Sequence, residues 1–284
     1  MPLEFIRRND DSLARDVSRL VAKAIATRGV PVTAEQANAL VDALYPRVAQ
    51  MRRTAWRAHV TELGRQAAAA GVEIRPEPLE PYPRKALYDA IADISRLTPD
   101  STQLHVMMLD EETKKRVLTA VTPTAANRGD KALQSRISSD LGRRLSRHVV
   151  AAGRNAVADA AHNGSAKFIS SGAPAHAGYA RVLSGRESCA FCTMLASRGA
   201  VYQEDTVVTR KDGRRYHDGC DCIPVLVVED VPWEGEEQAE ALYEQWQKHT
   251  WSGGKPAPGQ FKRWAEAISA GEVDATQYSP FSDN

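Results

Sequence analysis

The four cysteines of this sequence all lie within one stretch of 34 residues and form two close pairs. Cys189 and Cys192 make a C-x2-C pair, Cys220 and Cys222 make a C-x-C pair, and His217 lies three residues before Cys220. Thiolate and imidazole are preferred ligands of zinc, which takes four of them in a tetrahedron. The spacing therefore predicts a structural zinc site closed by two distant loops.

Five candidate ligands compete for four positions around the ion. The 24 residues between Cys192 and His217 are enough for a hairpin that brings the two pairs together. We expect Cys189, Cys192, His217 and one of Cys220 or Cys222 to bind the metal, and a shell of four cysteines is the next option. Sequence spacing does not choose between the two C-x-C thiols.

Three other interpretations of the thiols remain open. Disulfides would need an oxidising compartment, but the N-terminal residues lack the apolar segment of a signal peptide, and the cytosol is reducing. A thioredoxin-like C-x-x-C would need a surrounding βαβ pattern, which is missing. Inert thiols clustered by chance are the third interpretation.

Short strands and C-terminal helices must position these ligands. Glycine becomes frequent after residue 164, and β-prone runs occur at 167–170, 179–183, 200–202, 206–209 and 223–228, with a hairpin turn at 211–214. Helices are expected at 235–250 and 259–270, joined by a turn at 252–256 and followed by an irregular tail from 275. We expect an apolar cluster under the metal and tryptophans that pack the C-terminal helices: Phe191, Met194, Leu195, Trp233, Trp246, Trp251 and Trp264.

The first 164 residues have mainly helical patterning. Apolar residues recur at helical spacing over 12–28, from Thr33 to the residues before Gly71, and over 85–97, 111–126 and 131–163. Pro46 should end or kink the second of these helices. Residues 72–84 contain four prolines and are expected to form an extended connector.

Four arginines interleave with the apolar positions of the 131–163 helix: Arg143, Arg144, Arg147 and Arg154. Residues 1–184 hold 27 basic and 19 acidic side chains, whereas residues 185–284 hold 10 and 17. The basic part is compatible with phosphate contacts to nucleic acid, or with a solvated helix face, which is the commoner use of such arginines.

Length and composition limit the class of protein. The chain has 284 residues and a net charge of +1, which suits one or two soluble domains. Its longest apolar run falls short of the roughly 20 residues that span a bilayer, so no membrane partner is expected. We predict an α+β fold with a helical region at 1–164, a Cys/His-pinned α+β unit at 165–230, and C-terminal helices and tail at 231–284.

The residues around the cysteines carry a family resemblance. The segment from Arg181 to Gly199 and the segment from Tyr216 to Cys222 resemble phage head-morphogenesis proteins of the Mu F-like class, and are most similar to the minor head proteins of actinobacteriophages. The family pattern is a C-x2-C, a short helix ending in Ser-Arg-Gly, and His-x-x-Cys-x-Cys before a strand. The match covers about residues 165–230, with Asp218 and Asp221 where the family usually has Pro and Arg.

The resemblance implies a minor capsid protein, present in a few copies at the portal vertex inside the phage head and in the host cytoplasm during assembly. Its implied partners are the portal protein and the major capsid or scaffold protein, with packaged DNA as a further candidate. The alternatives are a capsid maturation protease and a DNA-binding head-interior protein. Because neither G-x-S-x-G nor H-E-x-x-H occurs, no catalytic residue is predicted.

Overall fold

A computed structural model describes residues 2–98, 103–110, 112, 114–184, 189–200, 218, 220 and 222–281. The chain forms two compact units, each assembled from separate stretches of sequence. The helical unit contains residues 10–55 and 80–150, and the cysteine unit contains residues 1–9, 56–79 and 151–284. The three regions expected at 1–164, 165–230 and 231–284 are a different, functional division of the chain, and they stay a prediction.

Helix and sheet both contribute to the fold, which confirms the α+β class. The helices are α1 (Pro2–Arg28), α2 (Ala34–Ala69), α3 (Arg84–Ile94), α4 (Lys131–His162), α5 (Ala190–Ala196), α6 (Glu236–Thr250) and α7 (Gln260–Ser269). The strands are β1 (Val72–Glu73), β2 (Leu104–Leu109), β3 (Arg116–Val121), β4 (Lys167–Phe168), β5 (Ala177–Val182), β6 (Ile223–Val228), β7 (Trp251–Ser252) and β8 (Lys255–Pro256). In the described part of the chain, no helix is both long and apolar enough to cross a bilayer.

The helical unit is built around the apolar stripes that the sequence predicts. On α1 and α4 these stripes are fully or nearly fully buried, and each such side chain contributes about 1.5–3 kcal/mol on burial. The two helices approach closely at Gly142, where an added Cβ would lie 3.2 Å from the Ser18 Oγ. The buried stripe residues are Leu13, Val17, Val21, Ile25, Leu133, Ile137, Leu141, Leu145 and Val149.

Helix α2 continues through Pro46, where the sequence predicts an end or a kink. A proline inside a helix removes one backbone hydrogen bond and costs about 3 kcal/mol. Leu44 and Val48 on either side of Pro46 are both fully buried in the same core. Their burial offsets that cost and keeps the chain helical.

The prediction of a helix near residues 111–126 is wrong. Strand β3 occupies Arg116–Val121 and pairs antiparallel with β2, from Leu104 opposite Val121 to Leu109 opposite Arg116. In β2 the side chains of Leu104 and Val106 are buried, while His105 between them is exposed. This alternation of buried and exposed side chains is typical of a strand. Residues 111–126 contain too few apolar side chains to distinguish a strand period from a helical period in the sequence.

The cysteine unit is organised by β5 and β6, whose residues are buried on both faces of the pair. They pair antiparallel over six residues, from Ala177 opposite Val228 to Val182 opposite Ile223. Apolar residues at successive positions favour such a doubly covered strand pair. Strands β1 with β4 and β7 with β8 form two further short antiparallel pairs. The strands expected at 200–202 and 206–209 and the turn at 211–214 fall almost wholly outside the described residues.

Candidate metal centre

Both cysteine pairs leave the same end of the β5–β6 strand pair. Strand β5 ends at Val182, opposite Ile223, which begins β6. The chain that continues from β5 reaches Cys189, and Cys222 immediately precedes β6. Antiparallel pairing therefore brings together two segments that are 28 residues apart between Cys192 and Cys220.

Cys189 and Cys192 are linked through the start of helix α5. Cys189 is the residue before the helix, in extended conformation, and its Sγ accepts a hydrogen bond from the Cys192 backbone N–H at 3.3 Å. The Thr193 N–H donates to the Cys189 carbonyl at 3.0 Å and closes the turn. The C-x2-C spacing thus presents both sulfurs on one side of a tight turn.

The sulfurs of Cys192, Cys220 and Cys222 all lie within 4.8 Å of one another. The Cys220 Sγ is 3.5 Å from that of Cys192 and 3.2 Å from that of Cys222. Thiolates held at about 2.3 Å from a tetrahedral zinc would be about 3.8 Å apart. A disulfide has its sulfurs about 2.05 Å apart, and the four cysteines are free. The spacing fits shared metal ligation better than a disulfide.

Two buried arginines contact the cluster. The Arg181 Nη1 donates to the Cys222 Sγ at 3.7 Å, and the Arg154 Nη1 donates to the Cys220 carbonyl at 2.7 Å. Their side chains are about 4% and 5% exposed, respectively. Buried guanidinium groups beside sulfur stabilise the thiolate form, which is the form that binds metal.

Contacts among the thiols shift their pKa values in opposite directions. Hydrogen bonds from the Cys192 and Cys220 thiols lower the pKa of Cys222, and the positive charges of Arg181 and Arg154 lower it further. Hydrogen bonding to Cys189, Cys220 and Cys222 raises the pKa of Cys192, and burial raises it again. These contacts favour the thiolate form of Cys222 more than that of Cys192.

Apolar packing surrounds the sulfurs. Cys192 and Cys222 are fully buried in one small core with Leu183, Ala196 and Leu242. Below α5, Met194 and Leu195 pack with two tryptophans, Trp246 and Trp264, and Phe191 lies against this cluster. The predicted apolar cluster and the packing role of these two tryptophans are confirmed.

Hydrogen bonds from the C-terminal helices hold the cysteine-bearing segments. The Trp264 indole Nε1 donates to the Ala190 carbonyl at 3.1 Å and lies 3.0 Å from the Thr193 Oγ1. The buried Gln238 side chain accepts from the Leu183 N–H at 3.1 Å. Sequence reasoning missed Gln238 and Arg181, because nothing in their local spacing distinguishes them from other polar residues.

The predicted ligands fall into three groups in the structure. Cys192, Cys220 and Cys222 are brought together, whereas Cys189 is outside this group of three and is linked to Cys192 by its hydrogen bond with the Cys192 N–H. His217 lies outside the described residues. Its place in the ligand shell stays a prediction.

The four arginines predicted to contact nucleic acid have different surroundings. Arg143 pairs with Asp140 at 2.6 Å, Arg144 pairs with Asp93 at 3.1 Å, and the Arg147 Nη2 lies 3.3 Å from the His148 Nε2. Arg154 is buried beside the cysteines, which argues against a phosphate contact for this residue. A phosphate-binding role for the other three stays a prediction.

Comparison with known proteins identifies one family and two curated relatives. A family model described as "VG15 protein" matches residues 2–249. The "Gene 15 protein" of Mycobacterium phage L5 is 31% identical over 103 aligned positions, covering 24% of this chain and 35% of the relative. The "Gene 15 protein" of Mycobacterium phage D29 is 32% identical over 126 aligned positions, covering 35% of this chain and 44% of the relative. The chain thus aligns with less than half the length of either relative, and no solved structure matches.

Proposed function

Because this chain belongs to the VG15 protein family, we propose that it is a minor capsid protein that acts in the assembly of a phage head. Both curated relatives are phage proteins, and this chain is a phage protein as well. The observation that carries the finer proposal is the meeting of the two cysteine pairs at one end of β5–β6. These pairs are the core of the motif that resembles Mu F-like head-morphogenesis proteins.

The proposed site of action is the portal vertex inside the head, during procapsid assembly or in DNA packaging and ejection. The proposed partners are the portal protein and the major capsid or scaffold protein. Support for this location comes from the resemblance of residues 165–230 to minor head proteins. Packaged DNA is a further candidate partner, supported only by the basic character of residues 1–184.

The same proposal assigns a structural zinc ion to the cysteine cluster. Cys192, Cys220 and Cys222 would supply three thiolates, and Cys189 or His217 would supply the fourth ligand. The donor set fits zinc, since sulfur ligands at these separations suit a closed tetrahedral shell. A bound zinc ion would tie the C-x2-C and C-x-C segments to each other. Arg181 and Arg154 would keep the thiolates charged and oriented.

Co-expression with the portal and capsid proteins of the same phage tests the proposed function. We expect this chain to co-purify with the portal protein and to leave every partner at full length, as judged by mass spectrometry of each chain. Failure to associate with portal or capsid protein would contradict the minor capsid assignment. Shortened capsid or scaffold protein, abolished by Ser184→Ala or His217→Ala, would favour a maturation protease instead.

Measurement of DNA binding at several salt concentrations distinguishes the remaining alternative from a minor capsid protein. A DNA-binding head-interior protein should lose affinity steeply as salt rises, since phosphate neutralisation releases counterions. A minor capsid protein that does not bind DNA should show only weak binding to duplex DNA, and Arg143→Gln should leave that binding unchanged. Tight, strongly salt-dependent binding that Arg143→Gln weakens would support the DNA-binding alternative.

Elemental analysis tests the metal assignment. We expect about one zinc ion per chain, lost in Cys192→Ser and in Cys222→Ser. Ser171→Ala, on an exposed turn of the same unit, serves as the matched control and should retain the metal. Comparison of Cys189→Ser with His217→Ala then identifies the fourth ligand, because only the true ligand lowers zinc content. Metal-free wild-type protein, purified under reducing conditions with zinc supplied, would contradict the assignment.

A further inference from the structure

The β2–β3 hairpin of the helical unit carries a concentration of exposed apolar side chains. Of the eight exposed large apolar residues among those described, three lie on this hairpin: Met107, Val117 and Leu118. They are 50%, 41% and 62% exposed. Met107 and Leu118 are directly opposite each other in the register and share one face of the hairpin, whereas Val117 is on the other face. Single exposed apolar residues are common on proteins, but an adjacent exposed pair of this kind favours an interaction surface.

The hairpin contacts its own unit through β2. Leu104 and Val106 are buried in the core of the helical unit, and the His105 carbonyl accepts from the Arg136 Nη1 of α4 at 3.4 Å. In the part of the chain that the structure describes, β3 pairs only with β2. One edge of β3 is therefore open, and its backbone N–H and C=O groups are available to a further strand.

Strand β3 lacks two of the features that commonly prevent edge pairing, a proline and a bulge. Its sequence, Arg-Val-Leu-Thr-Ala-Val, contains no proline, and its six residues pair with β2 in an unbroken register without a bulge. The charged residues Lys114 and Lys115 precede the strand, and Arg116 is its first residue. The β6 strand of the cysteine unit differs, because the Gln66 side chain accepts its Leu226 N–H at 2.8 Å.

We infer that the open edge of β3 pairs antiparallel with β3 of a second copy of this chain. This pairing has a two-fold axis perpendicular to the sheet, and it joins two hairpins into one four-stranded sheet. The axis passes near Leu118 or Thr119, at the middle of the strand. A two-fold axis perpendicular to the sheet keeps each face of the hairpin on the same side in both copies. The Met107–Leu118 pair of one copy therefore lies beside that of the other copy, on one face of the four-stranded sheet.

The charge distribution favours a second copy in this orientation. Antiparallel pairing places the two Arg116 side chains about 14–20 Å apart along the strands, at about 3.4 Å per residue. That separation exceeds the Debye length of about 8 Å at physiological salt, so their repulsion is largely screened. Parallel pairing in register would set like charges side by side at about 4.8 Å. In the antiparallel arrangement, both copies contribute the same edge of β3 and are related by a two-fold axis, so the assembly is complete as a dimer.

An acidic partner strand is a weaker fit to the same edge. The hairpin turn carries Asp110 and Glu112 beside Lys114 and Lys115, so its basic groups are balanced locally. Apart from Arg116 and Thr119, the side chains of β3 are apolar. Antiparallel pairing about Leu118 sets the two Leu118 side chains opposite each other, between the two Met107 side chains. These features match a second copy better than a charged peptide.

Sedimentation of the full chain over a range of concentrations tests the inference, with Leu118→Lys as the disrupting variant. Leu118 is 62% exposed, so the change should leave the fold intact, which circular dichroism checks. Two lysines across the axis repel each other, and we expect the dimer dissociation constant to rise about tenfold or more. Hydrogen exchange should show concentration-dependent protection of residues 116–121 in the wild type, absent in the variant.

Ile169→Lys is the matched control, since Ile169 is 64% exposed but lies in the cysteine unit. We expect the Ile169→Lys variant to have the same dimer dissociation constant as the wild type. A wild-type chain that remains monomeric at its highest soluble concentration would overturn the inference. A dimer equally weakened by both variants, or by neither, would also overturn it, because the contact would then lie elsewhere.

Discussion

At the scale of single residues, the cysteine unit depends on a few side chains whose neighbours come from distant parts of the chain. Arg181 on β5 donates to Cys222, and Arg154 on α4 donates to the Cys220 carbonyl. Gly235, just before α6, has a positive φ of 105° and lies against Val182 at the end of β5. These contacts hold the segments that carry the sulfurs.

Gly235→Ala should destabilise the cysteine unit. A Cβ at this position would lie 2.6 Å from the Val182 Cγ2, and the positive φ is unfavourable for alanine. We expect a loss of about 1–3 kcal/mol from backbone strain, with overpacking adding to it. Urea unfolding measures the change.

Gly64→Ala is the control for the Gly235 variant. Gly64 lies in the exposed interior of α2, and an added Cβ there meets no atom within 4 Å. Alanine should raise the free energy of unfolding by up to about 1 kcal/mol, through its higher helix propensity. Equal effects of the two variants would contradict the close approach of Gly235 to Val182.

Glu4 should contribute to the pH dependence of stability. Its carboxylate accepts from Arg7 at 2.8 Å and from Arg8 at 2.7 Å, and the Arg7 hydrogen bond is the main cause of its lowered pKa. A lowered pKa in the folded state gives stability that is present above the unfolded pKa and is lost as the pH falls through the folded value.

Glu4→Gln should therefore lower the free energy of unfolding at about pH 7. Between about pH 7 and pH 3 the variant should lose less of this free energy than the wild type loses. Urea unfolding of both proteins at the two pH values checks this. Glu73→Gln, at an exposed position of β1, is the control. A Glu4→Gln protein that is as stable as the wild type at neutral pH would show that the ion pairs contribute nothing.

At the scale of elements, the order of strands and helices brings the thiols together. The end of β5 and the start of β6 are adjacent, so the loops that carry the two cysteine pairs emerge side by side. Helix α7 then fixes α5 through the Trp264 indole. The β2–β3 hairpin, by contrast, is held by one strand and exposes the other.

Trp264→Phe should weaken the attachment of α5 to α7. The change removes the hydrogen bonds from the indole N–H to the Ala190 carbonyl and to the Thr193 Oγ1, and it leaves a cavity where the larger ring was. The Ala190 carbonyl still accepts from the Thr193 hydroxyl, so we expect a loss of about 1–3 kcal/mol that comes mainly from the cavity. Trp251→Phe, at a partly exposed position, should cost less. Thermal unfolding of the two variants compares them, and equal destabilisation would contradict this role of Trp264.

At the scale of the whole molecule, two compact units are built from interleaved stretches of one chain. The helical unit is stabilised by one large apolar core, whereas the cysteine unit has several smaller cores. Small cores bury less apolar area and gain more from metal ligation.

Removal of the proposed zinc should therefore affect the two units unequally. Ligation by cysteines supplies on the order of 10 kcal/mol of apparent binding free energy at neutral pH. After chelation under reducing conditions, hydrogen exchange should accelerate in β5 and β6, while residues 133–149 of α4 keep their protection. Equal acceleration in both regions, or no change in β5 and β6, would contradict a structural metal in the cysteine unit.

Local patterns in the sequence determined much of this protein. The apolar period of α4, the buried runs of β5 and β6, and the C-terminal helices each follow from residues near one another in the chain. The cysteine spacing likewise predicted that two distant pairs would meet, because thiols in such pairs are suited to one shared ion. Three of these sulfurs are together in the structure.

Only the tertiary structure decided the remaining features. Residues 116–121 form a strand because β2 supplies their partners, and α2 continues through Pro46 because the core buries both of its flanks. The structure places Arg181 beside Cys222, 41 residues away in sequence, and Arg154 beside Cys220, 66 residues away. Local spacing records the periodicity of one segment, whereas these outcomes depend on contact energies between segments far apart in the chain.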